Sequence, residues 1–235
     1  MLTSCDISVV VLAGGMGTRL RSRICDRPKV LAEVSGKPFL SFILDQLDSA
    51  GFHDVILATG YMSERIETTF GNEYGSTRLR YSREMEPLGT GGALLMALPL
   101  IGSEIVLVMN GDSFVDADLN DYLGWFQQKN REASLLLTNV QDTFRYGRVS
   151  VDDRGCILGF HEKGVSGPGW INSGVYLFER SAMESVTTAK ALSLEMDFLP
   201  DQIGKEFFGY KNKGKFIDIG TPESYSTAEA FFSSS

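Results

Sequence analysis

Cysteine and histidine, the residues that form disulfides and bind zinc in small domains, are scarce in this sequence. Its 235 residues include three cysteines and two histidines, and the cysteines form no C-x-x-C pair. A disulfide framework or a cysteine-based zinc site is therefore not expected, because both need clustered thiols. Scattered thiols are typical of proteins that work in a reducing compartment.

Long apolar runs and an excess of positive charge are also lacking. The longest apolar stretches fall well short of the roughly 18 residues that a membrane-spanning helix needs, and the N-terminus lacks the basic start of a signal peptide. With 22 basic against 30 acidic residues, the net charge of −8 disfavours a nucleic-acid partner held by a basic surface. We expect a cytoplasmic protein that binds neither membranes nor nucleic acids and holds any phosphate through a few local donors.

What is present is the composition of a globular protein and an alternation of strand and helix patterns. Apolar residues make up 43% and charged residues 22%, which predicts a single domain over residues 1–235 built on one core. Apolar runs predict strands, and apolar residues at helical spacing predict helices between them. In chain order we expect a strand at Ile7–Leu12, a helix at Phe39–Ala50, a strand at Val55–Thr59, helices at Met62–Phe70 and from Gly91, a strand at Ile105–Met109 and a helix at Asp118–Lys129.

The pattern changes after Ala133, where short strands follow one another without intervening helices. They are predicted at Ser134–Val140, Arg148–Val151, Cys156–Phe160 and Val175–Phe178, with Asp152–Gly155 as a hairpin turn. We therefore expect an α/β fold, a Rossmann-like three-layer sandwich with a mostly parallel mixed sheet and an antiparallel extension.

A glycine-rich loop, Ala13–Leu20, follows the first predicted strand directly. Its three glycines within four positions allow several backbone N–H groups to converge on an anion, and Arg19 adds a forked cation suited to phosphate. The loop is neither a Walker loop nor a dinucleotide fingerprint, because the final glycine of each pattern is missing. A tight turn without a ligand is the alternative interpretation.

The loop and five later motifs resemble the sugar-1-phosphate nucleotidylyltransferase family over the whole chain. The family signature G-G-x-G-[ST]-R-L followed by P-K stands here as Gly14–Leu20 and Pro28–Lys29. The other matches are Pro87–Gly92, Asn110–Asp112, Glu162–Lys163, Asn172–Gly174 and Asp218–Pro222. The resemblance implies the fold of the nucleotide-diphospho-sugar transferases, without the C-terminal β-helix domain of the longer members.

Within the family, the chain most resembles the D-glycero-α-D-manno-heptose 1-phosphate guanylyltransferases. The stretches Asp26–Leu31, Gly36–Leu40 and Arg145–Gly147 carry this closer likeness. It implies that GTP and the heptose 1-phosphate are joined to give GDP-heptose, for surface glycans, with release of pyrophosphate. Uridylyl, cytidylyl or thymidylyl transfer, or guanylyl transfer to a hexose 1-phosphate such as mannose or glucose 1-phosphate, is the alternative. The sequence leaves the oligomeric state open, a homo-oligomer included.

Two alternatives come from other functional classes. The D-x-D string Asp116–Asp118 is the metal motif of many glycosyltransferases, but Asp118 also suits the N-cap of the helix that follows it. A non-catalytic protein that binds nucleotide sugars is the second alternative.

The resemblance implies a catalytic set in which charge and positioning replace acid–base chemistry, because the attacking phosphate is already an anion. Arg19 and Lys29 would hold the triphosphate, Lys163 would neutralise the sugar phosphate, and Asp112 and Asp218 would bind Mg²⁺. As purely structural alternatives, Asp112 would stabilise a turn and Asp218 would precede a helix.

The same resemblance implies residues that bind each substrate. The nucleotide-binding residues would be Leu12, Ala13, Gly14, Gly15, Gly17, Thr18, Glu84, Pro87, Leu88, Gly89, Thr90, Gly92 and Gly111, and the sugar-phosphate-binding residues Gly147, Glu162 and Asn172. A carboxylate can accept the N1–H and 2-amino donors of guanine, and Glu84 is favoured over Glu86 for this role by its spacing from Gly89. Ser82–Glu86 also reads as a plain polar loop.

Overall fold

The computed structural model describes residues 2–17, 19–20, 26–128, 131–184 and 191–233. Within these ranges the chain forms fourteen strands and six α-helices. The strands are β1 (Ser8–Leu12), β2 (Glu33–Val34), β3 (Lys37–Pro38), β4 (Asp54–Thr59), β5 (Glu73–Tyr74), β6 (Thr77–Arg83), β7 (Ile105–Asn110), β8 (Ser113–Val115), β9 (Ala133–Val140), β10 (Val149–Val151), β11 (Ile157–Phe160), β12 (Gly169–Glu179), β13 (Phe207–Asn212) and β14 (Phe216–Asp218). The helices are α1 (Phe39–Ser49), α2 (Ser63–Phe70), α3 (Gly89–Ala97), α4 (Leu119–Gln127), α5 (Arg180–Glu184) and α6 (Pro222–Ser233).

Eight of the strands form one mixed sheet in the order β13-β9-β12-β7-β1-β4-β6-β5. The strands β7, β1, β4 and β6 run parallel, whereas β12 is antiparallel to both of its neighbours, β7 and β9. Three two-stranded pairs lie outside this sheet: β10 with β11, β8 with β14, and β2 with β3. The predicted mostly parallel sheet with an antiparallel extension is confirmed.

The central strand β1 shows why the sheet is covered on both faces. Val9 and Val11 are buried in the core that also contains the apolar faces of α1, α2 and α4, whereas Val10 is buried in the opposite core with α3 and α5. An uninterrupted apolar strand is stable only when helices cover both sides of the sheet. The three-layer arrangement of helices, sheet and helices follows directly.

The helix after the D-x-D string begins as the capping interpretation predicts. Asp118 precedes α4, and its carboxylate accepts hydrogen bonds from the backbone N–H groups of Asn120 and Asp121 at 3.0 and 2.9 Å. Such a cap satisfies N–H groups that have no partner within the helix. The Asp118 carboxylate thus stabilises the start of α4. This structural role weakens the glycosyltransferase alternative, in which Asp118 would bind a metal.

Several elements differ from the sequence-based expectations. The strands β6 and β13 were not predicted. β6 carries five polar or charged residues in the sequence TRLRYSR and lies next to the sheet edge. The predicted strand Val175–Phe178 is the last part of the longer β12, and the predicted helix at Gly91 begins at Gly89. The hairpin at Asp152–Gly155 is confirmed, since it connects the antiparallel strands β10 and β11.

Among the described residues, no helix combines the length and the apolar character that crossing a bilayer requires.

Gly111 shows how closely the strands are packed at the end of β7. Its N–H donates to the carbonyl oxygen of Leu12 at 2.9 Å, and a Cβ at this position would lie 2.8 Å from that oxygen. We expect Gly111→Ala to lower the free energy of unfolding by about 1–3 kcal/mol, because β1 and β7 must separate. Urea unfolding measures the change.

Gly102→Ala is the matched control, since a Cβ there would meet nothing within 4 Å. Equal stabilities of the two variants would show that the two strand ends are not packed as described.

Candidate active site

Two cavities lie side by side where the parallel strands end. The loops after β1, β4, β6 and β7 meet there, because the carboxyl ends of parallel strands lie at the same edge. Since β4 and β7 flank β1 on opposite sides, the loops diverge and leave a crevice. The first cavity has a volume of about 630 Å³ and the second about 750 Å³, and Asn110, Asp112 and Glu195 line both.

The first cavity is lined by most of the residues predicted to bind the nucleotide. They are Leu12, Ala13, Gly14, Gly15, Gly17, Glu84, Pro87, Gly89 and Thr90, together with Lys29. Thr18, also predicted, lies outside the described residues. The cavity therefore joins the glycine-rich loop after β1 to the segment after β6.

Glu84 fills the space that Gly14 leaves. A Cβ on Gly14 would lie 2.7 Å from Glu84 Oε1, and one on Gly60 would lie 2.6 Å from the same atom. The other carboxylate oxygen, Oε2, accepts a hydrogen bond from the Leu88 N–H at 3.2 Å. Burial raises the pKa of Glu84, and the Leu88 N–H partly opposes this increase. Glu84 is thus held against the glycine loop, and Glu86 also lines the cavity.

Three predicted nucleotide-binding residues do not line the cavity: Leu88, Gly92 and Gly111. The N–H groups of Gly91 and Gly92 both donate to the carbonyl oxygen of Leu192, and the Leu192 N–H donates to the carbonyl oxygen of Leu88. A Cβ on Gly89 would lie 2.5 Å from the Leu192 oxygen. These glycines therefore accommodate another chain segment, and Gly111 bonds to β1 as described above.

That segment, Leu192–Phe198, was not predicted from the sequence, and it brings Glu195 to the junction of the cavities. Thr90 Oγ1 accepts a hydrogen bond from the Leu194 N–H and donates one to Glu195 Oε2, both at 2.8 Å. Leu194 and Phe198 are buried against the core on the α3 side of the sheet. The sequence SLEMDF carries no periodicity that would have identified it, because it forms a short π-helical turn.

Lys29 and Asp112 form an ion pair between the two cavities. Lys29 Nζ lies 2.6 Å from Asp112 Oδ2, and the lysine side chain is 11% exposed. The Asp112 carbonyl oxygen accepts a hydrogen bond from the Ile219 N–H at 2.9 Å, which continues the antiparallel pairing of β8 with β14. Since Asp218 is the last residue of β14 and pairs with Ser113, the two predicted metal ligands belong to neighbouring strand ends.

The Asp218 carboxylate is surrounded by hydrogen-bond donors. It accepts from the Gly220 N–H at 2.7 Å, from the Tyr146 hydroxyl at 2.9 Å and from Arg145 Nη2 at 3.1 Å. Burial and the nearby carboxylate raise the pKa of Tyr146 to about 12, so this hydroxyl keeps its proton. A Cβ on Gly220 would lie 2.6 Å from Asp218 Oδ1 and 3.7 Å from Lys29 Nζ, which places the ammonium close to both carboxylates.

The second cavity is lined by all the residues predicted to bind the sugar phosphate. Gly147, Glu162, Lys163 and Asn172 lie on it together with Asp112 and Asp218. Arg19 also lines this cavity and is not among the residues of the first, contrary to its predicted role at the triphosphate. The arginine follows the glycine loop and extends past the junction.

A β-bulge in β12 positions Asn172. The pairing of β12 with β9 shifts between Asn172 and Tyr176, and Gly174 between them has φ of 77°. Asn172 donates to the Tyr176 hydroxyl at 3.0 Å and accepts from the Gly174 N–H at 2.8 Å. Each amide atom keeps capacity for one further hydrogen bond toward the cavity. The Gly147 N–H, by contrast, already donates a hydrogen bond to the Thr143 carbonyl oxygen within the protein.

Charges of both signs line the second cavity. The cations are Arg19, Arg145, Arg148 and Lys163, and the carboxylates are Asp112, Glu162, Glu195 and Asp218. Cations suit a phosphate, and carboxylates accept hydrogen bonds from sugar hydroxyls. By contrast, Asp116 of the D-x-D string lines neither cavity, and its backbone bonds to Lys215 and Asn212.

Known proteins are similar in sequence to this chain over nearly its whole length. The nucleotidyl transferase family matches residues 8–235. This chain belongs to that family. It is 38% identical over 95% of its length, and 97% of the relative's, to D-glycero-alpha-D-manno-heptose 1-phosphate guanylyltransferase of Aneurinibacillus thermoaerophilus. It is 37% identical to the enzyme of the same name from Campylobacter jejuni, over 93% of this chain and 97% of that one.

The similarity of this nucleotidyl transferase to known proteins includes its three-dimensional fold. HddC from Yersinia pseudotuberculosis, complexed with GMP-PN, superposes with a TM-score of 0.87 at 35% identity, covering 96% of this chain and 99% of that one. The predicted family and fold class are thus confirmed.

Thr90 connects the first cavity to the Leu192–Phe198 segment, and replacing it tests that connection. We expect Thr90→Val to speed hydrogen exchange at the Leu194 amide about 5- to 30-fold, because two hydrogen bonds worth about 1 kcal/mol each are lost. Exchange followed by mass spectrometry measures the effect. Thr90→Ser keeps the hydroxyl and should exchange like the parent; equal exchange in the valine variant would contradict the described contact.

Proposed function

We propose that this protein transfers a guanylyl group from GTP to D-glycero-α-D-manno-heptose 1-phosphate, giving GDP-heptose and pyrophosphate. The observation that carries the proposal is the position of Asp112 on two adjoining cavities, one beside the glycine loop and one lined by cations. The names of the relatives from Aneurinibacillus thermoaerophilus and Campylobacter jejuni support the choice of base and sugar.

GTP would occupy the first cavity. The loop Ala13–Gly17 would offer backbone N–H groups to the phosphates, and Lys29 would neutralise part of their charge. The Glu84 carboxylate would accept the N1–H and 2-amino hydrogens of guanine, a donor pair that uracil, cytosine and thymine do not present. The fixed position of Glu84 against Gly14 supports this role, because a side chain that is already in place loses less conformational freedom when the base binds.

The heptose 1-phosphate would occupy the second cavity. Lys163 and Arg19 would hold its phosphate. Glu162 would accept hydrogen bonds from sugar hydroxyls, and Asn172 would both accept and donate them. Because Asp112 and Glu195 line both cavities, the phosphate of one reactant would lie next to the α-phosphate of the other. Proximity of this kind removes much of the entropic barrier.

The chemistry is a displacement at phosphorus. An oxygen of the sugar phosphate attacks the α-phosphorus of GTP, and the bond from that phosphorus to the bridging oxygen of pyrophosphate breaks. The attacking oxygen carries no proton to remove, so the residues of the site bind and neutralise rather than act as a base. Lys29 would stabilise the charge that develops on the departing pyrophosphate.

The donor set fits Mg²⁺. Asp112 and Asp218 supply hard oxygen ligands, and both line the second cavity. Magnesium typically uses one or two carboxylates together with substrate phosphates and water. When bound, the ion would neutralise phosphate charge and orient the α-phosphate, and Asp112 and Asp218 would hold it.

The direct test is a grid of nucleoside triphosphates against sugar 1-phosphates, with pyrophosphate release as the readout. We expect the pair of GTP and the heptose 1-phosphate to give the highest kcat/KM. A higher value with another base or with a hexose 1-phosphate would overturn the substrate assignment while keeping the reaction class. Binding of a nucleotide sugar without pyrophosphate release from any pair would favour a non-catalytic binder.

The raised pKa of Glu84 makes guanine selection dependent on pH. ITP lacks the 2-amino group, so the ratio of GTP to ITP affinity isolates that contact from titration of the triphosphate. We expect GTP to bind about 10- to 100-fold more tightly than ITP at neutral pH, because one charged hydrogen bond is lost with ITP. The ratio of GTP to ITP affinity should fall as the pH is lowered and Glu84 gains a proton. Because the pKa of Glu84 is raised, this fall should occur at a higher pH than an exposed glutamate would give.

Glu84→Gln keeps the shape and removes the titration, so its ratio should be small and constant with pH. Calorimetric titration measures both proteins. A pH-dependent ratio in the glutamine variant would assign guanine recognition to another group, with Glu86 the next candidate.

A further inference from the structure

Asp218 has one cation in direct contact within the described part of the chain, the Arg145 guanidinium, whereas the nearby Lys29 ammonium is paired with Asp112. The Asp218 side chain is 16% exposed, and its other partners, the Tyr146 hydroxyl, the Gly220 N–H and the Ser224 hydroxyl, are neutral donors. Removing a carboxylate from water is unfavourable unless a cation accompanies it. Arg145 provides that cation.

The contact between Arg145 and Asp218 is a loose one. One nitrogen, Nη2, lies 3.1 Å from each carboxylate oxygen and 3.2 Å from Ser224 Oγ, instead of the two parallel bonds of a forked pair. The bonds to Asp218 and Ser224 all use Nη2, and the guanidinium carbon lies 5.2 Å from the centroid of the Tyr146 ring. The arginine side chain is 39% exposed, and ion pairs this accessible to water contribute little stability. The pair can therefore open at small cost.

A divalent cation on Asp218 would compete with Arg145 for the same oxygens. A guanidinium and a metal ion within a few ångströms repel each other, and this repulsion is stronger in a partly dry cavity than in water. The guanidinium would then leave the carboxylate. Arg145 lines the second cavity together with Lys163 and Arg19, so its guanidinium lies where an anionic phosphate would enter.

We propose that Arg145 is a further phosphate-binding residue, a counter-ion that neutralises Asp218 in the free protein and moves to the sugar phosphate when a divalent cation replaces it. This inference rests on the proposed function, which supplies the metal and the phosphate. Arg145 also borders a groove lined by Phe216, Thr227 and Phe231. The alternative to our proposal is that the released guanidinium moves into this groove, where it would not contact substrate.

The first test follows metal binding to the protein without substrates. Free Mn²⁺ is measured by electron paramagnetic resonance during titration of Arg145→Gln, Arg145→Lys and the parent. We expect the glutamine variant to bind Mn²⁺ about 3- to 10-fold more tightly, because its competitor is gone. The lysine variant should resemble the parent. Unchanged or weaker binding in the glutamine variant would overturn the proposal, since it would make Arg145 a structural support of Asp218.

The second test measures the KM of the two substrates separately. We expect Arg145→Gln to raise the KM for the sugar 1-phosphate about 10- to 100-fold, because a charge-assisted contact is lost, with little change in the KM for GTP. An unchanged KM for the sugar phosphate would place the guanidinium in the groove instead and contradict the proposal. A circular-dichroism melting curve verifies that each variant is folded.

Arg154→Gln is the matched control for both tests, because Arg154 also pairs with an aspartate but is 83% exposed and lines neither cavity. It should leave both Mn²⁺ binding and the KM values unchanged. The Mn²⁺ titration needs no turnover, so a protein that fails to release pyrophosphate would refute the proposed function without deciding the competition between Arg145 and the metal.

Discussion

The pairing of two short strands, β8 and β14, is the constraint on which the site depends. It brings the C-terminal part of the chain back to the end of β7, with Ser113 opposite Asp218 and the Ile219 N–H bonded to the Asp112 carbonyl oxygen. Because of this pairing, two carboxylates from distant parts of the chain are neighbours: Asp112 lines both cavities, and Asp218 lines the second.

The resulting site is organised around balanced charge. Lys29 neutralises Asp112 and Arg145 neutralises Asp218 in the free protein, so the carboxylates are kept in place before any ligand arrives. A reaction between two anionic reactants needs cations close to both, yet a protein with a net charge of −8 has no general surplus of them. The same few side chains therefore serve the free protein as ion pairs and, on our proposal, the reactants as phosphate ligands.

Much of this organisation could be predicted from the sequence, because it follows from local patterns. Apolar strands alternating with helices predicted the layered sheet, and the glycine loop after β1 lies on the first cavity as expected. Gly92 does not line that cavity, because its N–H donates to the Leu192 carbonyl oxygen. A glycine that approaches a ligand and one that approaches a backbone carbonyl look alike in sequence. Glu195 and Arg145 were missed as site residues because their positions depend on contacts between distant segments.

The central claim is that Asp112 and Asp218 hold one divalent cation between the two reactants. The most direct measurement is a crystal structure of the protein with Mn²⁺, a non-hydrolysable GTP analogue and the sugar 1-phosphate, with the metal located by anomalous scattering. The account predicts a metal coordinated by both carboxylates and by a phosphate oxygen. A metal bound to one of the carboxylates alone, or to neither, would contradict it.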